Sequence, residues 1–145
     1  MRGYRKAVFV VVYSKNKNQI EYIILKRKHH WKGWEFPKGG MKSSESKTDA
    51  VKREVKEETG LRLLKIRKFN FNGKYKYQRE FSDRPGVIGQ TFSLYAAEVK
   101  KGRVKIDKKE HSGFRWLSFE KAVKTLTWSN QKKSLKIVNN RVLGK

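Results

Sequence analysis

With 145 residues the chain is long enough for one compact domain, residues 1–145, that buries roughly 70% of the surface its unfolded form exposes. Thirty-seven Lys and Arg against thirteen Asp and Glu give a formal charge of +24, a field that gathers polyanions and points to phosphate-bearing partners without choosing between a small nucleotide, RNA and DNA. The lack of cysteine excludes a disulfide framework and a thiolate metal site and fits a reducing cytoplasm, the expected location; no stretch has the apolar length of a membrane span, and no membrane partner is expected.

In chain order, residues 4–13 read as a first strand. Its apolar run from Ala7 to Tyr13 follows basic residues as in a secretory leader, but it is rich in β-branched Val and has no small-residue cleavage pattern. A near-continuous apolar run of this kind belongs to a sheet covered on both faces. The polar turn Ser14–Asn18 leads to a second strand over 20–27. From Lys26 to Gly40 two His, two Trp, one Pro and three Gly indicate an ordered loop. Ser43 or Ser44 is the expected cap of a helix that runs to Thr59 and stops at Gly60, with Thr48, Val51 and Val55 on its buried stripe.

Beyond the helix, Asn72-Gly73 between residues 61–71 and 74–81 predicts a tight hairpin, because both residues tolerate positive φ. Residues 87–99 read as a long strand, followed by a basic loop through Lys109, a short strand at Phe114–Trp116, a helix over 118–126 and a last helix over 129–142. Strands interspersed with helices predict an α/β or α+β fold with a mixed sheet.

The chemistry concentrates on the mid-chain helix. Glu54 lies three and four residues before Glu57 and Glu58, so the three carboxylates share one helical face. Like charges crowded in this way cost free energy unless a cation neutralises them, and an all-oxygen set selects a hard ion such as Mg²⁺. Arg53, four residues before Glu57, can orient a carboxylate.

The spacing extends further: Gly39, five residues, Glu45, seven residues, Arg53-Glu54-Val55, one residue, Glu57-Glu58, one residue, Gly60-Leu61. At every fixed position this resembles the box of the Nudix hydrolases. The resemblance implies a mixed sheet sandwiched between helices, with the box forming a loop, a helix and a loop. It also implies a Mg²⁺- or Mn²⁺-dependent pyrophosphohydrolase acting on a nucleoside diphosphate linked to another group. Carried over residue by residue, it makes Glu54, Glu57 and Glu58 metal ligands and the backbone carbonyl of Lys38 a further one. Arg53 and Glu45 would orient them. Glu110, before the short strand with Trp116, looks like the extra acidic residue many such enzymes carry, as ligand or general base beside Glu54.

Substrate clues lie outside the box. Trp34-Glu35-Phe36-Pro37-Lys38-Gly39-Gly40 resembles the entry to the box in asymmetric diadenosine tetraphosphate hydrolases, where Lys38 would meet a phosphate; RNA 5′-pyrophosphohydrolases tend to carry Gln there. Tyr77 stands sixteen residues after Leu61, where dinucleoside polyphosphate hydrolases tend to have a tyrosine, and the strand face it shares with Tyr75, Arg79 and Phe81 offers a surface for stacking a purine. The absence of a proline in this stretch speaks against the ADP-ribose branch. His30, Trp31 and the cations Lys26, Arg27 and Lys28 are expected at the rim of the cleft. The expectation is hydrolysis of diadenosine tetraphosphate to ATP and AMP. The alternatives are cleavage of 5′-triphosphate RNA, of ADP-ribose or of nucleoside triphosphates, and, more remotely, a non-catalytic nucleic-acid-binding module.

Overall fold

The computed structural model describes residues 3–79 and 81–143. Its backbone is strand β1 (Gly3–Asn16), around which the other elements assemble. Strand β2 (Gln19–Arg27) returns antiparallel from β1, with Tyr13 opposite Tyr22 and Asn16 opposite Gln19. Two short strands follow, β3 (Gly33–Glu35) against β2 and β4 (Lys38–Gly40) against the first half of β1. The expected ordered loop is therefore partly strand, pinned on both sides of Phe36-Pro37.

Helix α1 (Lys47–Thr59) comes next, then β5 (Arg62–Lys76), β6 (Val87–Lys100) and β7 (His111–Leu117). Helices α2 (Phe119–Thr125) and α3 (Ser129–Val142) end the chain. The main path through the sheet is β3-β2-β1-β6-β5, with β4 branching from β1 and β7 pairing with β2. The central pair β1 and β6 runs parallel from Gly3 opposite Val87 to Tyr13 opposite Glu98, while the other pairs are antiparallel. The sheet is mixed, as expected.

Alternation along β1 divides the core in two. Phe9, Val11 and Tyr13 join Ala122 of α2 and Leu135 and Val138 of α3 on one face; Val8, Val10 and Val12 join Ala50, Val51 and Val55 of α1 on the other. Each such side chain removed from water contributes about 1.5–3 kcal/mol, which fixes both the strand register and the face α1 presents to the sheet.

Four local expectations are corrected. The α1 cap is Ser46, whose side chain accepts from the Asp49 amide; Ser44 instead holds a left-handed φ of 69° in the preceding turn. Thr48 is exposed and Ala50 takes its place on the buried stripe. Asn72-Gly73 is no hairpin turn: β5 runs through it unbroken against β6, with its pairing shifted between Lys68 and Asn72. Gly73 is needed there because a Cβ would sit 2.9 Å from the ring of Phe92, which stacks on Phe9. The strand expected at Phe114–Trp116 is longer, and its first residue, His111, faces Arg27 across the sheet. Among the described residues no helix is long and apolar enough to cross a membrane.

Candidate active site

Burying Val51 and Val55 turns Arg53, Glu54, Glu57 and Glu58 toward strand β4 and the loop before β7. Glu54 packs directly over Gly39, where any Cβ would collide with its carboxylate; the glycine that opens the box is there to admit a glutamate. Arg53 spends its guanidinium on five acceptor atoms from four residues. Its Nε donates to Glu45 Oε2 at 2.8 Å, Nη2 to Glu45 Oε1 and the Gly40 carbonyl at 2.9 Å each, and Nη1 to Glu54 Oε1 at 2.7 Å and Glu57 Oε1 at 3.1 Å. Glu45 also caps the Lys42 amide. Arg53 and Glu45 thus tie the loop before α1 to the acidic face.

The three glutamates differ sharply in environment. Glu57 is half exposed, Glu54 is 7% exposed and Glu58 only 1%. Burial pushes the Glu54 carboxyl up to about 7; Glu57 and Glu110 add to the rise while Arg53 opposes it. Burial, then the neighbouring Glu54, Glu35 and Glu110, hold Glu58 well above the ordinary carboxylate range. Both Glu58 oxygens are buried without a hydrogen-bond partner. An unpaired carboxylate removed from water costs several kcal/mol against a total stability of about 5–15 kcal/mol, so burial favours the protonated form of Glu58 wherever no cation neutralises it. That orphaned pair of oxygens, beside Glu54 and Glu57, is the donor set a hard divalent ion requires, and the residues present fit one.

Glu110 enters from the opposite side. The Lys28 amide donates to its carbonyl at 2.9 Å, which fixes the turn before β7, and its carboxylate lies 3.6 Å from Arg27 Nη1. It lines the same cleft of about 310 Å³ as Glu54, Glu57, Glu58 and Lys38.

Two residues not singled out from sequence lie buried beside Glu58. Glu35 and His111 are fully buried and joined at 2.7 Å from His111 Nε2 to Glu35 Oε2, and Glu35, His111 and Glu58 offer ligand atoms within 4.8 Å of one another. Burial raises the Glu35 carboxyl, but Lys38, His111 and Arg27 together outweigh it and keep Glu35 ionised. No local signal marks them: Glu35 stands opposite Leu25 and His111 opposite Arg27 only once β3 and β7 dock on β2. Of the three cations expected at the rim, Lys26 and Lys28 are exposed whereas Arg27 is 4% exposed.

A second cavity of about 550 Å³ adjoins the first and shares Arg27, Lys38 and Arg84 with it. Its walls are aromatic. Trp31 meets Trp128 edge-on at 5.3 Å, and Tyr77 lies 4.9 Å from Phe81. The Tyr77 hydroxyl donates to Gln90 Oε1 at 2.8 Å and accepts from Arg84 Nη1 at 3.1 Å. Lys38, Trp31, Tyr77 and Arg27 are thus brought together, along with Trp128 and Arg84, which no sequence motif marks.

The NUDIX domain model matches residues 3–137. Over 128 residues the chain is 30% identical to the RNA pyrophosphohydrolase of Baumannia cicadellinicola subsp. Homalodisca coagulata, covering 81% of this chain and 78% of that protein. It is 31% identical over 114 residues to the 8-oxo-dGTP diphosphatase of Buchnera aphidicola subsp. Schizaphis graminum, covering 79% and 77%. The matched RNA pyrophosphohydrolases of Haemophilus are longer, and the chain spans 63–64% of their length. Among solved structures, a C. elegans Ap4A hydrolase in a binary complex superposes with a TM-score of 0.77 at 22% identity, over 97% of this chain and 99% of that one. By the match to its domain model, the spacing of its box and the shape of its sheet, this chain belongs to the Nudix family and is a pyrophosphohydrolase.

Proposed function

We propose that this protein is a Mg²⁺-dependent hydrolase of nucleoside polyphosphates, a single domain acting in the cytoplasm, with diadenosine tetraphosphate, split into ATP and AMP, as its first substrate. The observation that carries this is the junction of the two cavities: an aromatic pocket opens into a carboxylate cleft, and Arg27, Lys38 and Arg84 stand where they meet. A base in the first and a phosphate chain crossing into the second fits that layout. Tyr77 and Trp31 offer faces on which a purine can stack, and Lys38 Nζ, 3.6 Å from Glu35 Oε1, is a point charge for a phosphate oxygen.

Glu54, Glu57 and Glu58, with Glu110 and the Lys38 carbonyl, would hold the ion. When bound, Mg²⁺ neutralises phosphate oxygens and acidifies a water. Arg53 keeps Glu54 and Glu57 aimed at that point. Glu54 on α1 and Glu110 in the loop before β7, which line the cleft from its two sides, are the candidates for taking the proton from that water.

Cleavage of 5′-triphosphate RNA is the second reading. The names of the relatives and the +24 charge favour it, since exposed Lys74 and Lys76 at the pocket rim would hold the backbone beyond the first nucleotide. Incubation with Mg²⁺ and a panel of diadenosine tetraphosphate, 5′-triphosphate RNA, ADP-ribose, 8-oxo-dGTP and nucleoside triphosphates, with products resolved by chromatography, separates these readings. The first predicts ATP and AMP as the fastest-formed products, lost in Glu57→Gln. Faster release of pyrophosphate from RNA selects the second, and no turnover of any substrate leaves a binding module.

A further inference from the structure

The loop after β2 carries a chain of polar contacts that box residues do not account for. Arg27 Nε donates to the His29 carbonyl at 2.8 Å, Nη1 to Glu35 Oε2 at 3.1 Å, and Nη2 to His30 Nδ1 at 3.0 Å. On its other side His30 Nε2 lies 2.9 Å and 3.1 Å from the two oxygens of Asp83. The ring is also held by contact with Phe81 at 4.3 Å, and the His30 carbonyl accepts from Arg79 at 3.3 Å.

Tautomer chemistry decides what this can be. Arginine only donates, so His30 Nδ1 presents its lone pair and the proton resides on Nε2, from which it is given to Asp83. His29, His30 and Asp83 have ligand atoms within 4.8 Å of one another, a set that by count would suit a transition metal. A metal on His30 Nε2 would require a proton on Nδ1 facing the Arg27 N–H groups, so the geometry rejects it. A second proton on the ring is opposed in the same way; burial, with Arg84 and His29, lowers the His30 pKa against the pull of Asp83, which keeps the ring neutral.

The backbone adds an independent sign. His30 has φ of 73°, a left-handed conformation that is unfavourable for a non-glycine residue and persists where the surroundings impose it. That strain places the ring between Arg27 and residues 81–84, one of which, Arg84, bonds Tyr77 in the aromatic pocket.

We propose that His30 is a positioning residue: held between Asp83 and Arg27, it docks residues 81–84 on the aromatic pocket and at the same time aims Arg27 at buried Glu35 and at Glu110 in the carboxylate cleft. Nucleotide seating and carboxylate arrangement are thereby joined through one ring. This rests on the reading of the two cavities as a nucleotide site.

Two measurements test it. ¹⁵N NMR of the imidazole nitrogens at pH 7, without substrate, reads the chain itself; the proposal expects neutral His30 protonated at Nε2. A ring protonated at Nδ1, or charged, overturns it whatever the protein hydrolyses. Kinetics with Mg²⁺ and diadenosine tetraphosphate, or 5′-triphosphate RNA should that be the substrate turned over, reads the role. His30→Ala and Asp83→Ala are each expected to lower kcat/KM about tenfold, with KM raised and kcat reduced, and the double variant to lose no more than either alone. His30→Gln, which retains an acceptor and an N–H donor, is expected to recover to within about threefold of wild type. Unchanged kinetics in the alanine variants, or losses that multiply in the double variant, overturn the proposal. Absence of turnover in the wild type removes the nucleotide-site reading instead, and with it the coupling, while the tautomer still reports whether the polar chain exists.

Discussion

Glu58 is the residue on which the acidic site turns. Its raised pKa, like that of Glu54, means that the protonated form is favoured by folding, so its contribution to stability is complete below the unfolded value near 4.5 and is lost as pH rises through the folded one. Glu35, with its depressed pKa, works the other way and only below that range. His30 also opposes the trend between its lowered pKa and 6.5. The difference between wild type and Glu58→Gln isolates the one carboxyl. Without metal, wild type is expected to lose Tm relative to Glu58→Gln between pH 5 and pH 8, as followed by differential scanning calorimetry. Added Mg²⁺ should raise the wild-type Tm more at pH 8 than at pH 5, and the variant should lose most of that gain. A Mg²⁺ effect of equal size in wild type and Glu58→Gln would show that Glu58 holds no ion.

Individual elements show what could be read from the chain and what could not. Helix α1 was legible because its signals are local: carboxylates three and four apart, apolar Val51 and Val55 a turn apart, and Gly60 in the left-handed cap. Its start was misplaced by two or three residues because Ser43, Ser44 and Ser46 all offer caps, and only the Asp49 amide selects Ser46. Strand β5 was misread for the opposite reason. Asn72-Gly73 is a strong local turn signal, but the glycine answers to Phe92 on the neighbouring strand, a contact no sequence window contains. Glu35 and His111 were hidden likewise, each an ordinary residue until the sheet brings them together. Gly73→Val forces a side chain into the Phe92 ring and should cost roughly 1–3 kcal/mol, a Tm loss of about 3–10 °C. Asn72→Val, at an exposed strand position, should be nearly neutral by thermal unfolding. If Asn72→Val proved the more damaging, β5 would have to be broken into the hairpin after all.

For the molecule as a whole, the sheet between α1 and the α2/α3 pair sets two cavities side by side, one acidic and one aromatic, on a chain of +24. The fold class and the acidic helix follow from sequence period and box spacing. The aromatic pocket does not, because its walls come from residues as far apart as Trp31, Tyr77 and Trp128, and only tertiary packing makes them neighbours. The excess of positive charge now has a place: cations stand at the rim and between the cavities while the acidic groups are gathered within, an arrangement that draws in a polyphosphate and meets it with a cation-seeking cleft. The most direct test is a crystal structure with Mg²⁺ and a methylene-bridged, non-hydrolysable analogue of diadenosine tetraphosphate. Mg²⁺ is expected to be coordinated by Glu54, Glu57 and Glu58 and by phosphate oxygens, with an adenine between Tyr77 and Trp31. An analogue bound elsewhere, or those three carboxylates turned apart with no ion among them, would contradict it.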